Sequence, residues 1–503
     1  MNLTRVARSV TVMSLLIGLI GGAVASMSLP PFGFWPLGPL GIAMFLLACE
    51  EHHVGRRSLT GFMFGLGLFV PGLWWAQHFN WYGAIALMVI ESLFFAGAGA
   101  VMTPGRGRTL SAIGAITLAE LLRETWPLGG LPIGGLPLGQ ADGPLLGIAR
   151  LAGPCALMMA IVVAGAGIRI LTTALADSGQ GSLDATRRAA HGAALIGAVA
   201  LVAVVGAWAP SGGSSLGTRS VAAVQGGGRR GTSAEQVDPI AVTQAHLATT
   251  ATVPRGTAIT LLPEDVIGLD GPLEGSWQLD ALKAQARRIG GTLIAGVTTP
   301  ATSTSFNNFA VAFGPTGQII GRVEKVHRVP FGEYIPARSL FSHLANVSGV
   351  PRDAVPGTGH EVLTTPAGRI GVLISFEVFF SSRSLDAVRH GAQVLVVPTN
   401  TTSYPTAQMP AQELAAARLQ AVGTGRDLLQ ASPTGYSALI NNRGDVVTKT
   451  PLSRRMVLLG TATLRRGMTP FDRWGDWPVL LLGLLGVGMG QLRARQGRQS
   501  SSS

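Results

Sequence analysis

Three short segments set reactive side chains at the ends of apolar, β-branched runs. Leu261-Leu262-Pro263-Glu264 carries a carboxylate out of an apolar run. Lys325-Val326-His327-Arg328-Val329-Pro330-Phe331-Gly332-Glu333 follows another run with an ammonium and a second carboxylate. Gly371-Val372-Leu373-Ile374-Ser375-Phe376-Glu377 ends in a hydroxyl and a third carboxylate, just before a predicted helix. Glu, Lys and a hydroxyl at strand ends can form an acyl-transfer site. The hydroxyl attacks a carbonyl carbon, the glutamate takes its proton, and the lysine stabilises the oxyanion. A helix beginning after Ser375 would add backbone N–H groups facing that charge. Spacing alone leaves a second reading open: a single Glu, Lys or Ser after a strand is also what a solvated loop provides.

These segments need an α/β scaffold, and residues 210–476 supply its pattern. Strands are predicted at Ser220–Gln225, Ala258–Leu262, Thr292–Thr298, Phe309–Phe313, Ile319–Val323, Arg369–Ile374 and Gln393–Pro398. Helices are predicted at Ser276–Ile289, Arg383–His390 and Ala411–Val422. Gly314-Pro315-Thr316-Gly317 and Asn441-Asn442-Arg443-Gly444 have hairpin-turn composition. Strand–helix alternation with hairpins argues a mixed sheet. Ser211-Gly212-Gly213-Ser214-Ser215 reads as a flexible linker ahead of it.

The rest of the chain is of another kind. Of 503 residues, 47% are hydrophobic and 13% charged, against roughly 25% charged in soluble domains. Mean hydropathy is +0.39. Between Val10 and Cys49, and again between Ser58 and Ile90, no Asp, Glu, Lys or Arg occurs. Membrane spans of about 20 residues are expected near 10–28, 34–49, 59–77, 82–102, Thr109–Leu122, Leu145–Ile170, Ala190–Trp208 and Trp477–Leu492. Basic residues fall between alternate spans: Arg5 and Arg8, Arg56 and Arg57, Arg106 and Arg108, Arg169, Arg187 and Arg188, and Arg493, Arg495 and Arg498. Such loops stay in the cytoplasm, which places both termini inside and residues 210–476 outside. The expected domains are 1–209, 210–476 and 477–503.

The net charge of +12 is thereby assigned to topology, and no nucleic-acid motif accompanies it. Cys49 and Cys155 both lie in apolar stretches and make neither a disulfide framework nor a metal site. Arg5, Arg8, an apolar core and Ala23-Val24-Ala25 also fit a cleaved signal peptide, but an uncleaved first helix is preferred. Glu91 inside the fourth span is a candidate functional carboxylate; helix packing or a polar cavity would explain it equally. Glu120 and Arg123 are one helical turn apart and expected to pair. The Gly/Pro-rich run Leu128–Gln140 is expected at the outer surface.

The three reactive segments, in this order and spacing, resemble the nitrilase superfamily. Lys325, His327 and Val329-Pro330-Phe331-Gly332-Glu333 resemble its apolipoprotein N-acyltransferase branch, as do Trp474-Gly475-Asp476-Trp477-Pro478 and the insertion of the domain between spans seven and eight. The resemblance implies an αββα sandwich joined to about eight spans, in a multi-pass protein of the inner or plasma membrane. It implies Glu264 as general base, Lys325 on the oxyanion side and position 375 as nucleophile. Glu333, Glu377 and Asn400 match family positions around the site, and Tyr404 stands where many members carry tryptophan nearby. The implied reaction moves an acyl chain from a phospholipid to the enzyme, then to the α-amino group of a diacylglyceryl-cysteine on a lipoprotein. No cofactor, metal or nucleic acid is expected.

The chain departs from that pattern at its centre. The family nucleophile is cysteine; here it is Ser375, and no cysteine follows Cys155. A thiol with pKa near 8.5 forms thiolate readily, whereas a hydroxyl depends on its base. Val224-Gln225-Gly226 continues into Gly227-Gly228-Arg229-Arg230-Gly231, where a more apolar segment is expected. Three functions remain open: an N-acyltransferase using Ser375, a silent relative that binds lipid or lipoprotein or supports a partner enzyme, and a different amide-forming or amide-hydrolysing nitrilase tethered to a membrane. The Pro-Phe-Gly-Glu context argues against the third. His327 is read as structural.

Overall fold

A computed structural model of the chain describes residues 3–50, 53–78, 81–177, 183–228, 238–339, 349–401 and 406–499. The chain forms two compact units. One comprises the residues up to Ala76, Ala84–Ala209 and those from Trp474 onward; the other comprises Pro210–Arg473 with Gln77–Gly83.

The first unit is helical: α1 (Leu3–Ser26), α2 (Leu37–Ala48), α3 (Val54–Gly72), α4 (Trp81–Val101), α5 (Arg108–Arg123), α6 (Ala149–Asp177), α7 (Leu183–Trp208) and a C-terminal helix, Trp477–Gln499. Among the described residues, four stretches are long and apolar enough to cross a membrane: Trp81–Val101, Leu146–Asp177, Leu183–Trp208 and Trp477–Gly497. Val12–Ser26 and Leu37–Ala48 are shorter apolar helices. Small residues let the backbones touch, as helix association in lipid requires. A Cβ at Gly22 would lie 2.0 Å from the Phe64 carbonyl, and one at Gly67 2.0 Å from that of Leu19. The α1–α3 contact therefore depends on glycine from both sides.

Several charges inside this unit are paired. Arg123 binds the carboxylates of both Glu120 (2.7 Å) and Glu91, and its remaining N–H groups reach the Leu131 and Ile133 carbonyls. Glu120 and Arg123 pair as expected, and Glu91 joins them. Residues 130–141, in the run expected at the outer surface, are buried within the unit, and the Leu131 and Ile133 carbonyls accept from the buried guanidinium. Glu50, after α2, binds Arg108 at the start of α5 and Arg169 on α6, each at 3.0 Å.

The second unit is a two-sheet sandwich. Its strands are β1 (Ser215–Gln225), β2 (Ile259–Leu261), β3 (Ile267–Gly268), β4 (Thr292–Pro300), β5 (Ser305–Phe313), β6 (Ile319–Glu324), β7 (Asp353–Ala354), β8 (Val362–Thr365), β9 (Gly368–Val372), β10 (Val394–Pro398), β11 (Leu428–Ala431), β12 (Ala438–Ile440), β13 (Val446–Lys449) and β14 (Met456–Arg465). The first sheet runs β14-β1-β2-β4-β5-β6, with β3 beside β4 and β7 beside β5; the second runs β13-β12-β11-β10-β9-β8. The central neighbours β1-β2-β4 and β9-β10-β11 are parallel. Parallel strands covered on both faces read as continuous apolar runs, which is why β10 is Val-Leu-Val-Val-Pro. Both predicted hairpins form, β5–β6 and β12–β13.

Alternation sorts the side chains into layers. Val221, Ala223, Ile259, Leu261 and Ile294 meet Ile370, Val372, Val394, Val396 and Leu429 between the sheets. Ala222, Val224, Leu293, Ala295 and Val311 face outward against Leu279, Leu282, Ala286 and Ile289 of helix α9 (Trp277–Ile289). Ser276 caps α9 by accepting the Leu279 N–H at 3.1 Å, and Gly290 (φ +76°) ends it in the left-handed region. Helix α8 (Pro239–Thr250) lies on the same side. Helices α10 (Ser381–Arg389) and α11 (Gln408–Thr424) cover the second sheet.

The stretch read as a flexible linker is tightly packed. A Cβ at Gly212 would sit 2.0 Å from the Gly425 carbonyl, and Asn442 Nδ2 donates to the Ser211 carbonyl at 2.6 Å. Glycine there serves close approach, not mobility, and β1 starts at Ser215.

Candidate active site

The chain after β2 turns through Pro263 and lays Glu264 across β4. Gly296 of β4 permits this: a Cβ there would be 2.4 Å from the Pro263 carbonyl oxygen and 2.5 Å from Glu264 Cα. The Glu264 amide donates to the Thr399 carbonyl at 3.3 Å, which ties the end of β2 to the end of β10.

Lys325 follows β6 directly and is 1% exposed. Its Nζ donates to Glu264 Oε1 at 2.7 Å and to Glu333 Oε1 at 2.6 Å. Burial alone would lower an ammonium pKa. Glu264 and Glu333 outweigh that and hold Lys325 above its ordinary value. An ammonium has three protons, so among the described residues one remains for a third acceptor. Glu333 is raised by burial against the pull of Lys325. Its other oxygen accepts the Val329 N–H at 2.9 Å, which closes the Val329–Glu333 loop on itself. Asn308 on β5 donates Nδ2 to Glu264 (2.9 Å) and to Glu333 (3.3 Å), so it spaces the two carboxylates.

Ser375 sits in the left-handed region at φ +52°, a conformation that costs a non-glycine residue of order 1–3 kcal/mol. Ser375–Phe379 form a 3₁₀ turn, and the α-helix starts only at Ser381. This differs from a helix springing directly from the nucleophile position, because Glu377 turns back into the elbow. Its carboxylate is fully buried and accepts the N–H groups of Val326 (2.8 Å), His327 (3.2 Å) and Ile374 (2.8 Å). Arg383 Nε lies 3.4 Å away. Glu377 thus fastens the residues after Lys325 to the residue before Ser375.

Sequence reasoning missed Asn308, Thr399 and Glu413. Thr399 Oγ1 bonds Ser375 Oγ at 3.3 Å and also bonds Glu413 Oε1. Glu413 is fully buried on α11; burial pushes its carboxyl up to about 8, opposed by the Thr399 bond. Asn400, next to Thr399, is half-buried. Tyr404 lies outside the described residues, as do residues 229–231. His327 stacks on Phe380, ring centres 3.9 Å apart, and burial beside Arg383 and Lys325 depresses its pKa to about 4. It is a neutral packing ring.

Glu264, Lys325, Glu333, Ser375 and Glu377 are therefore linked through hydrogen-bonded neighbours from four strand ends. A nucleophile, a carboxylate and a cation with one free donor can form and break an acyl ester. Away from this cluster, His360, Glu361 and His390 hold ligand atoms within 4.8 Å of one another. Glu361 there is engaged by Arg383 at 3.1 Å and His390 at 2.9 Å.

Comparison with known proteins shows the same division. Residues 21–167 match the apolipoprotein N-acyltransferase N-terminal domain family, and residues 220–468 match the carbon-nitrogen hydrolase family. The apolipoprotein N-acyltransferase of Mycolicibacterium smegmatis is 30% identical, covering 94% of this chain and 84% of its own. That of Methylococcus capsulatus is 28% identical, covering 97% and 99%. A solved carbon-nitrogen hydrolase of Helicobacter pylori is 17% identical with a TM-score of 0.37, covering 49% of this chain and 89% of its own.

Proposed function

The chain belongs to the apolipoprotein N-acyltransferase family, and from that premise we propose that it moves an acyl chain from a phospholipid to the N-terminal diacylglyceryl-cysteine of lipoproteins through an ester on Ser375. The observation that carries this reading is the likeness to enzymes named for N-acyl transfer along nearly the whole chain, helical part and hydrolase part alike.

The site supports a two-step course. Ser375 Oγ attacks the phospholipid ester carbon while its proton passes to Glu264. The free N–H of Lys325 faces the resulting oxyanion. The carbon–oxygen bond to glycerol breaks, Glu264 returns the proton to that oxygen, and a lysophospholipid leaves. The lipoprotein amine then attacks the Ser375 ester and gives a proton to Glu264. A carbon–nitrogen bond forms, and Ser375 regains its proton as its own acyl bond breaks. Glu333 and Asn308 hold Lys325 and Glu264 in register, and Glu377 holds the two backbone segments together. By family likeness Asn400 and Tyr404 are assigned to substrate binding.

The same premise carries a topology: eight spans in residues 1–209 and 477–503, both termini in the cytoplasm, and residues 210–476 outside. Glu50 supports it by drawing Arg108 and Arg169, from separate basic segments, to one place.

Serine where the family resemblance calls for cysteine favours one competitor, a relative that holds lipid or lipoprotein without turnover. A reconstituted assay with phospholipid and a diacylglyceryl-peptide, read by mass spectrometry, separates the two. Wild type is expected to transfer and Ser375→Ala to fall to background. If wild type matches Ser375→Ala while Ser375→Cys transfers, the enzymatic reading fails for this chain.

A further inference from the structure

Thr399 and Glu413 have no part in the reaction course above, yet they form the polar contact to Ser375. Thr399 Oγ1 is bonded to Ser375 Oγ on one side and to Glu413 Oε1 on the other. A threonine hydroxyl owns one proton, so it cannot donate to both. With Glu413 ionised, Thr399 gives its proton to the carboxylate, the stronger acceptor. Ser375 must then give its own proton to Thr399 and turns it away from Glu264. With Glu413 protonated the chain reverses: Glu413 donates to Thr399, and Thr399 donates to Ser375. The serine proton is then left outside the chain, free for the base.

We propose that Glu413 is a positioning residue for Ser375: in its neutral form it donates through Thr399 to Ser375 Oγ and so presents the serine proton to Glu264. The inference rests on Ser375 being the attacking group.

Three observations carry it. Thr399 Oγ1 lies 3.3 Å from Ser375 Oγ in a geometry that admits Thr399 as the donor, with Glu413 Oε1 bonded to the same hydroxyl. Glu413 Oε2 is buried with no hydrogen-bond partner among the described residues; a carbonyl oxygen tolerates that better than a charged one. The charged groups that act on Glu413 are Glu264, whose charge disfavours ionisation, and Lys325, which favours it; burial dominates both and places the carboxyl near 8. At pH 7 the relay points at Ser375, and above pH 8 it points away.

The device suits this chain's substitution. A thiol would ionise with little help, whereas a serine hydroxyl reacts only while its proton is aimed at a base.

The test uses the full chain in lipid nanodiscs and an alkyl fluorophosphonate, with labelling of Ser375 followed by intact mass between pH 6 and pH 9.5. Ser375→Ala sets the blank. The wild-type labelling rate is expected to fall about tenfold from pH 7 to pH 9, the loss of neutral carboxyl for a pKa of about 8. Glu413→Gln, whose amide N–H donates at every pH, is expected to keep the pH 7 rate within about threefold and to lose the alkaline fall. Thr399→Val is expected to label at least about tenfold more slowly at all pH values, and Thr399→Ser to restore the rate. The proposal is overturned if Glu413→Gln keeps the wild-type alkaline fall, if it folds with wild-type Tm yet does not label, or if Thr399→Val labels like wild type. It is also overturned if wild type does not label at any pH. N-acyl transfer measured on the same samples fails separately: labelling without transfer removes the acyltransferase reading and leaves the relay standing.

Discussion

Replacing Glu377 by glutamine keeps its size and removes its charge, which isolates its role as a fastener. Oε1 accepts from Val326 and His327, and Oε2 accepts from Ile374. A hydrogen bond to a charged group contributes about 1.5–3 kcal/mol, and a neutral one about 1. Glutamine can keep its oxygen toward Val326 and His327, losing about 1 kcal/mol at each. Its amide hydrogens then confront the Ile374 N–H, and that bond, about 2 kcal/mol, is lost. The sum is about 4 kcal/mol. For a unit of this size each kcal/mol lowers Tm by about 2–4 °C, so the sandwich transition should fall by about 8–16 °C. The rate should fall further than stability alone dictates, because the backbone on either side of Glu377 carries Lys325 and Ser375. A shift of about 1 Å between reacting groups costs about a hundredfold. The assay is thermal unfolding followed by near-ultraviolet circular dichroism, paired with Ser375 acyl-ester formation measured below the lower Tm. A Tm within about 1 °C of wild type, or a normal Tm with normal ester formation, would refute the assignment of Glu377 as the link between the two segments.

His327 and the membrane topology give two further tests. The folded pKa of His327, about 4, lies below its unfolded value of 6.5. The unfolded chain therefore binds the proton more readily, and this residue's contribution to stability is present above pH 6.5 and lost as pH falls toward 4. His327→Phe preserves the stack on Phe380 and should flatten that part of the acid loss of Tm while leaving ester formation at pH 7 within about twofold. In a background lacking Cys49 and Cys155, Asp270→Cys should react with an impermeant maleimide on intact cells, and Thr186→Cys only after the membrane is opened. The reverse pattern would invert the proposed orientation.

Much of the site was legible because its reactive residues interrupt apolar runs. Pro263-Glu264, Lys325 and Ser375 stand where strands stop, and strands stop where side chains change character. Asn308 was hidden inside β5, where a polar residue reads as the outward half of an alternating strand. Glu413 was hidden for the opposite reason. In Ala411–Val422 a lone acid reads as a solvated helix face, but α11 is buried on nearly every side, which periodicity cannot reveal. Thr399 lay beside Asn400, and family likeness drew attention to the amide, not the hydroxyl. The misread linker and the unexpected burial of residues 130–141 share one cause. Glycine-rich composition signals freedom when nothing is near and close packing when something is, and only the partners, Gly425 for Gly212 and Arg123 for residues 131–133, decide between them. The helices of the first unit fall near their expected places. Length and hydropathy together set four helices long and apolar enough to cross a membrane apart from shorter apolar ones such as Leu37–Ala48.

The packing of Gly212 and Gly213 against Gly425 and Gly467 has a mechanical consequence. The chain enters the sandwich on β1 and leaves it after β14, and these strands are antiparallel neighbours with Ser215 opposite Arg465. Both connections emerge at the same end of one ladder. A force drawing them apart loads the rungs one at a time, from Ser215–Arg465 toward Gln225–Met456, like a zipper. Such a geometry yields at low force, and the glycine clasp is the first element to bear the load. Drawing the two connections apart would thus open the sandwich from that corner, while the strand ends that carry Glu264 and Ser375 release last.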